Sequence, residues 1–267
     1  HTLSTDDRIL SINGNSYLGC LRFGSNTSLE LYNGGWSSIN STTALSTNQN
    51  TLISITVDSS HNAVATLNGV SQNTLSSSQF LSNGVSTNLG GKLFIGGTGY
   101  GNTYDGEFSE VILTSSALPT TDGQKIESYL ARKWGLTASL ASSHPYKTTK
   151  ALSWNPTLQS SETIEASATN LGTGKEGFYG TTISGLDSGE TYYYRLRSQG
   201  KLNPKGIAGS NLKLWLNASE LTSLTAKWED KSGNGNSADA SGSPSVVTNA
   251  QNGLSLMHYT GNSQYHD

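Results

Sequence analysis

Two groups of residues have types and spacings suited to binding chemistry. The stretch Gly96–Gly106 reads Gly-Gly-Thr-Gly-Tyr-Gly-Asn-Thr-Tyr-Asp-Gly and carries Tyr100, Asn102, Tyr104 and Asp105. Aromatic faces stack on sugar rings, and Asn or Asp side chains bond sugar hydroxyls, so these four are candidate glycan ligands. Trp36, which follows Asn33-Gly34-Gly35, is a further aromatic candidate. Each has a plainer reading as well: a flexible connecting loop for the first set, core packing for Trp36. The glycines do not make a phosphate cradle, because no helix follows directly and no Lys-Ser/Thr ends the loop. The second group is Asp230, Asn234 and Asn236, in Trp228-Glu-Asp-Lys-Ser-Gly-Asn-Gly-Asn236. Carboxylate and amide oxygens are the donors that Ca2+ prefers, and Ca2+ is the one cofactor these residues suggest. The competing reading is an Asx-type turn held by local hydrogen bonds.

Catalytic sets are sparse. A glycosidase needs two carboxylates on one face, about 5–9 Å apart. Glu107 and Glu110 are the near pair, and on one continuous strand a spacing of three sends them to opposite faces. No Ser-His-Asp or Cys-His set can be argued from spacing. No residue is therefore assigned a catalytic role, and the chain is expected not to be an enzyme, with a glycoside hydrolase the least favoured alternative. The single cysteine, Cys20, excludes an intrachain disulfide and a Cys-based zinc site.

These residues sit in a polar chain. Gly, Ser, Thr and Asn make up 125 of 267 residues, and 33% are hydrophobic. Half-buried strands need only alternate apolar positions, so such a composition still builds a core. The net charge of −3 gives no clustered Lys and Arg for phosphates, so nucleic acid is not an expected partner. No apolar run approaches about 18 residues, so no membrane insertion is expected. No signal-peptide pattern marks the first residues. The Lys-poor, Ser/Thr/Asn-rich surface suits an extracellular or cell-surface protein.

Short strands are expected at Ile9–Asn13, Leu18–Phe23, Ser28–Tyr32, Thr51–Asp58, Ala63–Leu67, Leu93–Ile95 and Gly106–Leu113, punctuated by Asn-Gly and Asp-Gly turns. One helix is expected after a Thr121/Gln124 capping box, with Ile126, Tyr129, Leu130 and Trp134 on one stripe and Gly135 ending it. Residues 147–210 change character. They lack Val, and Leu186-Asp-Ser-Gly-Glu-Thr-Tyr192-Tyr-Tyr-Arg-Leu resembles the tyrosine-corner end of a fibronectin type III module. They read as a short spacer that ends in the linker Lys201–Ser210. Leu212–Ser219 is a new strand with alternate apolar positions, and Trp215 and Trp228 are expected in the core.

Five motifs together resemble a known family. Trp228–Asn236 is similar to the opening turn of bacterial laminin-G-like, concanavalin A-like jelly rolls. Leu67-Asn68-Gly69-Val70 resembles the central hairpin, and Phe94-Ile95-Gly96-Gly97 a late inner strand. Gly106–Leu113, Ser116-Ala-Leu118, the helix and Lys133-Trp134-Gly135-Leu136 resemble the closing strand and terminal helix. His144-Pro145-Tyr146 resembles the exit. The resemblance implies an all-β fold: an antiparallel jelly-roll β-sandwich with one C-terminal helix, plus a small fibronectin-like unit. It covers roughly 15–146 and 211–267, in reversed order. Residues 1–146 read as the later part of a jelly roll, 147–210 as the spacer, and 211–267 as the opening part. The opening part completes 1–146 of its own chain or of a neighbouring one, or begins the next repeat. Tandem or intermolecular completion is slightly favoured, because an incomplete sheet exposes edges that must be covered. The expected partners are neighbouring copies or repeats of the same protein, together with glycans. The expected role is adhesion or surface and filament assembly, or a lectin-like module of a polysaccharide-degrading protein.

Overall fold

A computed structural model describes residues 7–12, 21–25, 28–32, 36–39, 45, 49–75, 93–97, 103–148, 203–223, 227–261 and 263–267. Two compact units divide the chain: His1–Ser153 with Lys201–Asp267, and Trp154–Gly200. The second unit, including the stretch expected to be fibronectin-like, lies outside the described residues.

The described part of the first unit is mostly β. Its strands are β1 (Arg8–Ile12), β2 (Leu21–Ser25), β3 (Ser28–Tyr32), β4 (Trp36–Ser38), β5 (Ile53–Val57), β6 (Ala63–Leu67), β7 (Val70–Leu75), β8 (Leu93–Ile95), β9 (Asp105–Phe108) and β10 (Glu110–Thr114). After α1 (Thr120–Lys133) and the short α2 (Pro204–Ala208) come β11 (Leu212–Asn217), β12 (Lys227–Trp228), β13 (Ala238–Ser241), β14 (Ser245–Gln251), β15 (Leu254–Thr260) and β16 (Tyr265–His266). Eight strands form one sheet in the order β12-β13-β16-β8-β1-β2-β3-β4; the others form β10-β11, β14-β15-β9 and β5-β6-β7. The strand ladders recorded among the described residues are antiparallel.

Alternation makes the core. On β3, Leu29 and Leu31 are fully buried while Ser28, Glu30 and Tyr32 face the other way. They join Ile9, Leu21 and Phe23 against Ala63, Ala65 and Leu67 of β6. A second cluster sets Ile95, Trp228 and Ala238 of the large sheet against Val111, Leu214, Leu216, Met257 and Tyr259. The large sheet thus supplies one side of both clusters and the smaller sheets the other.

Tight turns set the registers. Asn68 and Gly69 have φ of 52° and 75°, the left-handed pair that a two-residue hairpin between β6 and β7 requires. Asn252 and Gly253, at 52° and 73°, do the same between β14 and β15. The β5–β6 turn is held by Asp58, whose Oδ1 accepts the Ser60 and Asn62 N–H groups, each at 2.8 Å. Its Oδ2 accepts the Asn62 amide at 2.9 Å, and these donors favour the ionised carboxyl and hold the Asp58 pKa below its ordinary range, the Asn62 N–H being the largest cause.

Several expectations shift. The single strand Gly106–Leu113 is two strands, β9 and β10, broken at Ser109, whose carbonyl accepts the Ala218 N–H at 3.1 Å. Glu107 and Glu110 therefore belong to different ladders, and parity along one strand does not describe them. Helix α1 starts at Thr120 behind Pro119 with no side-chain cap, so Thr121 is inside the helix rather than capping it. Gly135 does end it, at φ 73°. The buried face of α1 runs through Glu127, Ser128, Ala131 and Trp134 rather than through Ile126. From residue 203 the expected linker is helical: Asn203 Oδ1 caps α2 by accepting the Gly206 N–H at 2.9 Å, and Pro204 and Ala208 are buried.

In the single chain the self-closed arrangement forms. β11 pairs with β10 from Glu110↔Asn217 to Thr114↔Leu212, β15 pairs with β9, and His266 of β16 pairs with Ile95 of β8. Leu216 lies at the centre of this closure with no exposure. Replacing Leu216 by Ala is expected to cost about 2–5 kcal/mol, read as a lower urea midpoint, because the cavity is walled by both segments.

His266 is fully buried between Trp228 and Tyr259, its Nδ1 2.6 Å from the Tyr259 hydroxyl. Burial pushes its pKa down to about 4. The unfolded chain then binds this proton more readily, so the stabilisation is intact above pH ~6.5 and is lost as pH falls from there towards ~4. Wild type is expected to lose roughly 3 kcal/mol more over that window than His266→Phe, measured by urea unfolding at a series of pH values. Equal slopes would refute this.

Candidate functional site

The loop that carries the aromatic candidates is shaped by its glycines. Gly96 has φ 83°, and a Cβ there would meet the Tyr259 ring at 2.8 Å. A Cβ on Gly106 would meet the Tyr104 ring at 2.2 Å. Both glycines are platforms for aromatic rings, and Tyr104 accordingly turns inward. Its ring stacks with Phe23 at 5.9 Å and meets Phe108 edge-on at 5.3 Å, against the first core cluster. Burial pushes its hydroxyl pKa up to about 12. This corrects the expectation for Tyr104: its faces are occupied by protein and do not offer a platform to a sugar. Asp105 opens β9 opposite Thr260, half-buried. Tyr100 and Asn102 lie outside the described residues.

Trp36 is different. It sits on β4 opposite Tyr32, on the face that points away from Leu29 and Leu31. The same face carries a row across four strands, Arg8↔Arg22↔Glu30↔Ser38. The Arg22 guanidinium lies 3.6 Å from the Trp36 ring centroid and that of Arg8 4.6 Å, and Tyr32 meets Trp36 edge-on at 5.3 Å. Arg22 is fixed by Glu30, which accepts its Nε–H at 2.9 Å. Gly24 makes room, since a Cβ there would meet the Glu30 carboxyl at 2.0 Å. The result is a strip of guanidinium, carboxylate and aromatic groups, half-buried at Trp36, Tyr32, Arg22 and Glu30. Core packing, the plainer reading of Trp36, does not apply.

The three residues suggested for Ca2+ fasten a turn instead. Asp230 accepts N–H groups of Trp215 at 3.0 Å, Ser232 at 2.8 Å and Asn236 at 3.0 Å, and the Ser232 hydroxyl at 2.8 Å. Burial acts to raise its pKa, but these donors outweigh it and hold the carboxyl below its ordinary range. The Asn234 amide donates to the Leu212 carbonyl at 2.8 Å, and that of Asn236 to the Lys213 carbonyl at 2.9 Å. Gly233 and Gly235, at φ 95° and 77°, supply the left-handed steps. The oxygens a cation would need are thus already engaged, or their amides point at β11. This corrects the metal expectation for Asp230, Asn234 and Asn236. Among the described residues no group of three His, Cys, Asp or Glu side chains is placed to hold a metal ion.

Sequence reasoning missed a buried carboxylate with four donors. Glu110 has a side chain only 1% exposed. Its Oε1 accepts the Tyr129 hydroxyl at 3.0 Å and the Trp215 indole N–H at 2.5 Å. Its Oε2 accepts Lys133 Nζ at 2.8 Å and the Trp134 indole N–H at 3.0 Å. Lys133 also donates to Asn217 Oδ1 at 2.7 Å, and that oxygen accepts the Ser219 N–H at 2.9 Å. The reason is the ladder. Glu110 and Ile112 share one face of β10 with Trp215 and Asn217 of β11, and α1 covers that face, while Val111, Leu214 and Leu216 face the core. Burial lowers the Lys133 pKa and Glu110 works against it. Tyr129 is raised far above its ordinary value, by burial first and by Glu110 second. The signal in the sequence was the alternation Lys213-Leu-Trp-Leu-Asn217, which puts Trp215 opposite the apolar face.

A second buried group ties α1 to the hairpin and the exit. Glu127 accepts the Thr66 hydroxyl at 2.5 Å and lies 3.2 Å from His144 Nε2, while His144 Nδ1 accepts the Tyr146 N–H at 3.2 Å. His144 rests on Gly69, where a Cβ would stand 2.8 Å from its ring.

Comparison with protein-family models, with curated protein sequences and with solved structures found no match. Among the described residues no helix is long and apolar enough to cross a membrane.

If the Asp230 turn is a fastening and not a metal site, Asp230→Ala should lower stability by about 2–3 kcal/mol through loss of hydrogen bonds to a charged acceptor. Adding Ca2+ or a chelator should leave the wild-type melting temperature unchanged. A calcium-dependent rise in melting temperature would restore the metal reading.

Proposed function

We propose that the chain is a module of a non-enzymatic extracellular repeat protein that serves adhesion or the assembly of a surface layer or filament. In this reading the β unit is a jelly-roll sandwich of the laminin-G-like, concanavalin A-like kind, and residues 147–210 are a fibronectin-like spacer. The observation that carries it is the closure of 212–266 on 93–114. Three antiparallel ladders and the Glu110 cluster join the two segments, and a second copy presents identical surfaces. Chain segments joined only through a separate unit exchange between copies at little cost beyond linker entropy. The charged groups Asp230, Glu110 and Glu127 hold elements together, which suits a structural role.

A second reading has its own support. The Arg8–Arg22–Glu30 row beside Trp36 combines an aromatic ring with donors and an acceptor for hydroxyl groups, the chemistry of a lectin-like module.

Light scattering over a range of chain concentrations separates the two. Assembly predicts a mass that rises with concentration; a monodisperse monomer throughout would remove that reading. Glycan binding predicts array signals that Trp36→Ala abolishes without a change in melting temperature.

A further inference from the structure

We propose that Lys133 and Asn217 form an intramolecular amide (isopeptide) cross-link, with Glu110 as the proton-transfer group. The three side chains already stand in the required order. Lys133 Nζ is 2.7 Å from Asn217 Oδ1 and 2.8 Å from Glu110 Oε2. The carbon to be attacked, Asn217 Cγ, is one C=O bond length, about 1.23 Å, from the oxygen the amine touches. Reacting groups held in such contact gain most of the entropy of meeting before the reaction starts.

The surroundings fit the chemistry. Asn217 is buried, and its Oδ1 accepts the Ser219 N–H at 2.9 Å, a donor aimed where negative charge develops. Tyr129 and Trp134 rings flank Nζ at 5.5 and 5.1 Å, and the Trp134 and Trp215 indoles close over Glu110, keeping competing water away. Attack needs an uncharged amine. In water, moving a proton from Lys to Glu is uphill by about six pKa units. Between two desolvated groups the neutral pair gains, because neither partner then holds a charge out of water. Burial pulls the Lys133 pKa in that direction.

The balance closes without an outside reagent. Glu110 takes a proton from Lys133, and the freed Nζ lone pair forms a bond to Asn217 Cγ, with charge collecting on Oδ1. Glu110 returns a proton to Asn217 Nδ2 and accepts a second one from Nζ, which keeps its third as the amide N–H. The charge on Oδ1 collapses as the Cγ–Nδ2 bond breaks, and ammonia leaves, taking the proton that Glu110 then holds to become ammonium. The product joins the end of α1 to the end of β11, so the bond fixes the C-terminal segment on the rest of the unit. Exchange of this segment between copies, as in the proposed function, has to precede the bond, which then joins two copies; the inference itself needs only the local geometry.

Intact-mass spectrometry of the folded full chain tests it. The expected result is a chain lighter by one ammonia, with a branched peptide linking the segments that contain Lys133 and Asn217. Lys133→Arg keeps the charge but lacks the amine, and should keep the ammonia. Asn217→Asp should give the same branched peptide with loss of one water. Glu110→Gln, folded by circular dichroism, should slow the reaction by about 100-fold or more. A wild-type chain at full mass after prolonged incubation overturns the proposal. So does ammonia loss without a branched peptide, which is what succinimide formation at an Asn-Gly step would give.

Discussion

The architecture depends on one buried carboxylate. Glu110 is out of water, and its charge is tolerable only because two indole N–H groups, a phenol and an ammonium converge on it. Those donors come from α1, from the residue after it, and from β11, about a hundred residues further along. Removing any contributing element would leave a desolvated charge. The hydrophobic clusters give the closure its driving force and exclude a one-residue slip, which would turn Leu214 and Leu216 outward, but a two-residue slip keeps their alternation. The Glu110 partners exclude that slip too: they fix the β10–β11 register and the angle of α1 together.

The same economy recurs on a smaller scale. Asp230 gathers the Ser-Gly-Asn-Gly-Asn turn onto the edge of β11, and Glu127 anchors α1 to the β6–β7 hairpin and the exit segment. In a chain that is only 13% charged, these acidic groups act as internal fasteners. Glycines complete the pattern, some as left-handed steps and some as the floor on which an aromatic ring lies. The strip at Trp36 stands out because its aromatic and charged groups face away from the core.

How legible this was differs by element. β3, β6 and β8 follow directly from alternation and bounding turns, and their limits coincide with expectation. β7, β14 and β15 were not expected, although Asn68-Gly69 and Asn252-Gly253 mark their hairpins. Their polar outward residues hide the period in so Ser- and Asn-rich a chain. β9 and β10 read as one strand because nothing local reveals the break at Ser109. That break exists because two different partners, β15 and β11, claim its two sides.

The sequence by itself determined the β character, the Asn68-Gly69 turn and the long helix found among the described residues, because backbone preferences and side-chain period act over neighbouring residues; Asp105-Gly106, expected as a turn, is instead part of β9. It also brought out Trp36, Tyr104 and Asp230 as residues of note. Only the tertiary structure decided what they do. Tyr104 turned to the core and Asp230 to a turn, while Glu110, Lys133 and Asn217 met across 107 positions of sequence. Which face of a strand is covered, and by what, depends on long-range pairing, and desolvation acts only once that pairing has formed.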